Sequence, residues 1–157
     1  MNFMNLAIGC DEAAYDLKEV LKQHLLEQGH TVEDFGTFDG RPVLYPDVGF
    51  KVAEAVAERR FERAVLLCGT GIGMAISANK VTGVRAAQCH DTYSAERASR
   101  SNDAQVITIG ARVVGSELAK AIVDSYLAAR FDGGKSASKI SLIDAYEAEQ
   151  ARNADRG

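Results

Sequence analysis

The chain has no long hydrophobic run, no excess of basic residues and no cysteine framework. Its longest uncharged stretch, Ala64 to Ala78, is too short and too rich in glycine to span a bilayer, so no membrane partner is expected. A formal net charge of -4 argues against nucleic acid as a default partner. Met1 to Leu6 lacks the basic start and apolar core of a secretory signal. Cys10, Cys68 and Cys89 follow no metal-ligand spacing and are odd in number, so free thiols in a reducing cytoplasm are expected. Proline occurs only as Pro42 and Pro46, close together, and no repeat or interdomain linker interrupts the chain. The 157 residues, 46% apolar and 25% charged, suffice for one domain with a single core. Residues 1–147 are expected to form it, with a polar, frayed tail at 148–157.

What is present is an alternation of short apolar runs and amphipathic segments. Strands are predicted at Leu6–Cys10, Thr31–Phe35, Ala64–Leu67, Val84–Cys89 and Gln105–Ile109. Helices are predicted at Ala13–Gln28, Asp47–Arg59, from the central glycines to Lys80, at Tyr93–Arg100, at Ser116–Ala129, and after Asp132-Gly133-Gly134 with Ile140, Leu142, Ile143 and Tyr146 inward. This pattern predicts an α/β fold, a Rossmann-like three-layer α/β/α sandwich on a five-stranded parallel sheet. Ligands of such sheets bind beyond the carboxyl ends of the strands, where Cys10-Asp11-Glu12, Cys68 to Gly73, His90-Asp91 and Gly110 to Arg112 all fall.

The centre of the chain is Ala64-Val65-Leu66-Leu67-Cys68-Gly69-Thr70-Gly71-Ile72-Gly73-Met74, a buried strand running into three alternate glycines and a helix start. Glycines let backbone N–H groups converge, and a helix N-terminus adds partial positive charge, so the loop is suited to an anion. It matches neither the P-loop nor the dinucleotide spacing. Cys68 at its mouth reads either as a thiolate nucleophile or base, or as a buried core cysteine. Asp11 reads as a ligand contact or a helix cap, and Arg112 as a phosphate grip or a solvated side chain. Lys135 and Lys139, one turn apart, could share an anion or form an exposed basic face. His90 and Tyr45 are uninformative alone; His24 and His30 look structural.

Taken together, Gly9-Cys10-Asp11, Tyr45-Pro46-Asp47, Cys68 to Gly73 with Ala78-Asn79-Lys80, Asn102-Asp103, Gly110-Ala111-Arg112-Val113 and Asp132-Gly133-Gly134 resemble the ribose-5-phosphate isomerase B family, which includes the galactose-6-phosphate isomerase subunits. The resemblance runs from Leu6 to about Ile143. It implies an aldose–ketose isomerase that needs no metal or other cofactor and works through a cis-enediolate. Cys68 would be the base moving a proton between C1 and C2, since Met74 stands where some members carry a glutamate. Thr70 would assist the hydroxyl proton, and the N–H groups of Gly69, Gly71, Ile72 and Gly73 would form an oxyanion hole. Asp11, Glu12, Tyr45, Ser101 and Asn102 would meet the sugar, and Arg112, Lys135 and Lys139 the phosphate. The implied assembly is a homodimer or dimer of dimers with shared active sites.

Three departures from the pattern that the resemblance implies bear on the substrate. Glu12 stands where the family usually has a histidine, Ser101 where it has the histidine credited with opening the furanose ring, and Lys135 and Lys139 where it has an arginine- and histidine-rich segment. A missing ring-opening group suits a substrate with no ring to open. A tetrose 4-phosphate qualifies, because the hydroxyl that would close its furanose is esterified. The expected reaction is therefore D-erythrulose 4-phosphate to D-erythrose 4-phosphate. Ribose 5-phosphate is the alternative substrate, and a sugar-phosphate-binding subunit without activity a remoter one.

Overall fold

The computed structural model describes residues 2–157. Strands β1 (Asn5–Cys10), β2 (Thr31–Asp34), β3 (Arg63–Cys68), β4 (Ala86–Gln88) and β5 (Val106–Gly110) pair in parallel in the order β2-β1-β3-β5-β4. Between and after them run α1 (Tyr15–Glu27), α2 (Tyr45–Ala57), α3 (Ile72–Ala78), α4 (Thr92–Arg100), α5 (Ser116–Ala128) and α6 (Ala137–Asp155). The expected three-layer α/β/α sandwich is the observed one.

Strand side chains alternate between faces, and the two cores follow that alternation. Leu6, Ile8, Val65, Leu67, Ile107 and Ile109 pack under α1, α4 and α5. Ala7, Ala64, Leu66, Cys68 and Val106 point the other way, beneath α2 and α3. The chain runs from β1 to β2 on one side and, from β3, to β4 at the far edge and back to β5 on the other. The strand order thus switches between β1 and β3, and a crevice opens at their carboxyl ends. In register, Cys10 lies beside Leu67, and Cys68 beside Gly110.

Element boundaries shift where local chemistry outweighs periodicity. Asp11 caps a 3₁₀ turn at Glu12–Ala14, so α1 starts two residues later than the apolar pattern suggests. Helix α2 starts at Tyr45, because Pro46 fits a first turn whose N–H groups need no partner within the helix. It ends before Arg59, which has φ +62°. Strand β4 shrinks to three residues, with Val84 in a turn closed by its N–H to Val81 O.

Where a polar tail is expected at 148–157, α6 continues in helical form through Asp155. Its middle is anchored, with Arg85 paired to Asp144 at 3.0 Å and Gly83 N–H donating to Glu147 at 2.7 Å, and its outer turns are rich in good helix formers. Of its four expected inward residues only Ile140 is buried; Leu142, Ile143 and Tyr146 are exposed. No helix among the described residues is long and apolar enough to cross a membrane.

Candidate active site

Cys68 closes β3 with 5% of its surface exposed. The chain then turns through Gly71, whose φ of +77° and close approach to Ile109 leave no room for a side chain, and enters α3. Gly71 N–H donates to Cys68 Sγ at 3.1 Å, which aims the sulfur at the loop. Thr70 Oγ1 accepts the Ile72 N–H at 3.2 Å. Two of the four N–H groups expected to line an oxyanion hole, those of Gly71 and Ile72, are therefore already engaged. Among the described residues the N–H groups of Gly69, Thr70 and Gly73 donate to no protein acceptor.

Two side chains flank this loop. The Arg112 guanidinium lies across Gly69, where an added Cβ would sit 3.3 Å from Nη1. The Tyr45 ring lies against Gly73 so closely that any Cβ there would strike it. Arg112 is exposed and forms no ion pair among the described residues, so its donors face solvent. Met74, by contrast, is fully buried beside Gly49 of α2, a core residue and no part of the site.

The end of β1 contributes two carboxylates. Asp11 Oδ1 accepts Ala13 N–H at 3.1 Å, the capping alternative read from sequence. Burial pushes the Asp11 carboxyl above its ordinary value and the neighbouring Glu12 charge adds to this, while capping N–H groups and Arg112 oppose. Glu12 points outward and accepts Val43 N–H through Oε2 at 3.1 Å. Its own N–H and that of Val43 hold its carboxyl below the usual range, with a further contribution from Arg112. A carboxylate at a site for anions is tolerable here because it is hydrogen-bonded and faces a cation.

Not all expected residues converge in one chain. Ser101 ends α4 and Asn102 follows it, lining a separate cavity of about 470 Å³ with Gln88, Cys89, Ile140 and Ile143. Lys135 and Lys139 are exposed at the start of α6 and form no ion pair or side-chain hydrogen bond among the described residues. Asn79, part of the motif, clamps β4 through paired hydrogen bonds to Ala86. His24 binds Asp124 at 2.8 Å and His30 accepts Met4 N–H, both structural as read. The three cysteines are free. No group of three or more His, Cys, Asp or Glu side chains that could hold a metal occurs among the described residues.

Three side chains without a clear sequence signal touch the loop or its neighbour. Gln88 Nε2 donates to Thr70 O at 2.7 Å, Thr108 Oγ1 donates to Gly71 O at 2.8 Å, and His90 Nε2 accepts Gly110 N–H at 2.9 Å. The available signal was Thr108 itself, a lone hydroxyl within the apolar run Val106-Ile107-Thr108-Ile109.

The chain is similar to known proteins in sequence and in fold. A family model described as Ribose/Galactose Isomerase matches residues 6–143. The chain is 52% identical to a D-erythrulose-4-phosphate isomerase of Pectobacterium atrosepticum, over 94% of this chain and 97% of that one. It is 50% identical to a ribose-5-P isomerase B of Listeria innocua, over 90% and 95% respectively. The structure of Clostridium thermocellum ribose-5-phosphate isomerase B superposes with a TM-score of 0.91 at 44% identity, covering 94% of this chain and 99% of that one. A cysteine at the mouth of a glycine loop, with an arginine across it, thus sits in a matching fold and a matching sequence: the chain belongs to the ribose/galactose isomerase family.

Proposed function

We propose that this sugar-phosphate isomerase interconverts D-erythrulose 4-phosphate and D-erythrose 4-phosphate by proton transfer through a cis-enediolate. The observation that carries the chemistry is Cys68 Sγ, held by Gly71 N–H at the mouth of a loop with unengaged N–H groups. The substrate phosphate is held by Arg112, joined by Lys135 and Lys139. Asp11, Glu12, Tyr45, Ser101 and Asn102 hold the chain of hydroxyls. Cys68, as thiolate, takes a proton from C1 of the ketose, leaving an enediolate. Negative charge grows on its oxygen, next to donors fixed before the reaction begins. The thiol then returns the proton to C2 while Thr70 helps pass a hydroxyl proton between O2 and O1. No proton is gained or lost overall.

The tetrose reading rests on Ser101, which offers no imidazole to open a ring, and on likeness to the Pectobacterium enzyme. The ribose 5-phosphate reading is favoured by likeness to the Listeria enzyme. Because Asn102 lines a cavity whose walls do not include Cys68, we further propose a homodimer, or a dimer of dimers, in which each site draws on both subunits. Three free thiols suit a reducing cytoplasm.

The test compares kcat/KM for D-erythrose 4-phosphate and D-ribose 5-phosphate on one preparation, without added metal. A tetrose preference supports the proposal, and a pentose preference makes the protein a ribose-5-phosphate isomerase. Turnover of neither, with retained binding, leaves a binding subunit. Cys68→Ala should lower kcat by about a thousandfold, within the range of a lost general base; a variant isomerising at the wild-type rate removes Cys68 from the mechanism.

A further inference from the structure

The glycine loop can offer N–H groups to a substrate only if its carbonyls turn elsewhere. All four carbonyls from Cys68 to Gly71 are tied toward the β5–β4 side. Cys68 O accepts Ala111 N–H at 2.9 Å and Gly69 O accepts Arg112 N–H at 3.0 Å, both from the turn after β5. Beyond Gly69 the backbone of that turn no longer supplies a donor. Thr70 O is met by Gln88 Nε2 instead, and Gly71 O by Thr108 Oγ1 as well as by Ala75 N–H. The Thr108 hydroxyl is fully buried, where a missing partner would leave a desolvated polar group.

Resting on the isomerase reading, we propose that Thr108 and Gln88 are positioning residues for Cys68 and Thr70, acting through the loop backbone that donates to both. Each peptide group is planar, so holding the Thr70 and Gly71 carbonyls against the sheet aims the N–H groups of Gly71 and Ile72 the opposite way, at Cys68 Sγ and Thr70 Oγ1. His90 supports the same arrangement from below. By accepting Gly110 N–H it fixes the residue on whose Cα the Thr70 backbone rests, where an added Cβ would come within 2.7 Å of Thr70. Strands β4 and β5 thereby orient a loop that belongs to β3. Groups set in advance need no reorganisation in the transition state, so the benefit appears in kcat rather than in substrate binding.

Thr108→Val keeps shape and removes the donor; Thr108→Ser keeps the donor. With either sugar phosphate, Thr108→Val should lower kcat by about ten- to a hundredfold while KM stays within about twofold, and Thr108→Ser should recover most of the loss. Amide hydrogen exchange across residues 69–73 should accelerate in Thr108→Val and return to the wild-type rate in Thr108→Ser. Exposed Gln88, changed to Met, should move kcat and exchange in the same direction, and it decides the matter if Thr108→Val does not fold. Wild-type kcat and wild-type loop exchange in the folded variants overturn the proposal, whatever their melting temperatures. If the wild type turns over neither sugar, the isomerase reading fails, and loop exchange alone decides whether Thr108 and Gln88 order these N–H groups.

Discussion

Glu12 shows how one side chain can sit beside a phosphorylated substrate without opposing it. Its carboxylate takes the Val43 N–H two residues before Tyr45, whose ring rests on Gly73, so the loop ahead of α2 is tied to the end of β1. Glu12→Ala is expected to raise KM severalfold, while Glu12→Gln, which keeps an acceptor, stays closer to wild type; steady-state kinetics on the preferred sugar checks this. The folded Glu12 carboxyl lies below its ordinary value, so the tether is complete above the usual carboxylate range and is lost as pH falls through the folded value. KM should accordingly rise at acid pH in the wild type more than in Glu12→Gln. At position 101 the expectation concerns substrate choice. Ser101→His should raise kcat/KM for ribose 5-phosphate more than for erythrose 4-phosphate, and equal changes on the two sugars would count against the ring-opening argument.

Among elements, the segment from β2 to α2 depends on a buried charge. Lys18 of α1 is fully buried and reaches Asp34 at 2.8 Å and Thr37 O, while Lys22 meets the same carboxylate at 2.8 Å. Asp34 also accepts Gly36 N–H at 2.8 Å, which fixes the exit from β2. Burial acts to raise the Asp34 carboxyl, but the hydrogen bonds from Lys18, Lys22 and Gly36 outweigh it and hold the group below its ordinary value. Its stabilising contribution is therefore present above the unfolded value, near pH 4, and is lost as pH falls through the folded one. Asp34→Asn leaves Lys18 buried without its full partner, and urea denaturation at neutral pH should show a loss of about 3 kcal/mol. The same variant should lose less stability between pH 5 and pH 3 than the wild type. A partly legible signal existed here: Thr31 to Phe35 reads as a strand, yet nothing in its spacing indicates that Lys18, sixteen positions before Asp34, is the cation beneath it.

For the whole molecule, the proposed sharing of sites makes a quantitative prediction. Cys68→Ala and Asn102→Ala subunits should each be nearly inactive, whereas unfolding and refolding an equal mixture should restore about a quarter of wild-type activity, since half the dimers then carry one intact site of two. No recovery would mean that Asn102 acts beside the Cys68 of its own chain. Sequence by itself determined the layer architecture, because alternating apolar runs and amphipathic segments have few ways to bury their surfaces. It also determined the edge on which Asp11, Cys68 and Arg112 gather, because a parallel sheet places every strand's carboxyl end on one side. Only the tertiary structure decided how the carbonyls of the glycine loop are held, since that depends on donors from two other strands, Gln88 and Thr108, far away in the chain. It likewise decided that Glu12 ties a loop, and that Asn102 lines a cavity with Ile140 and Ile143 of α6. Such pairings are set by the crossing of distant segments, which local periodicity does not encode.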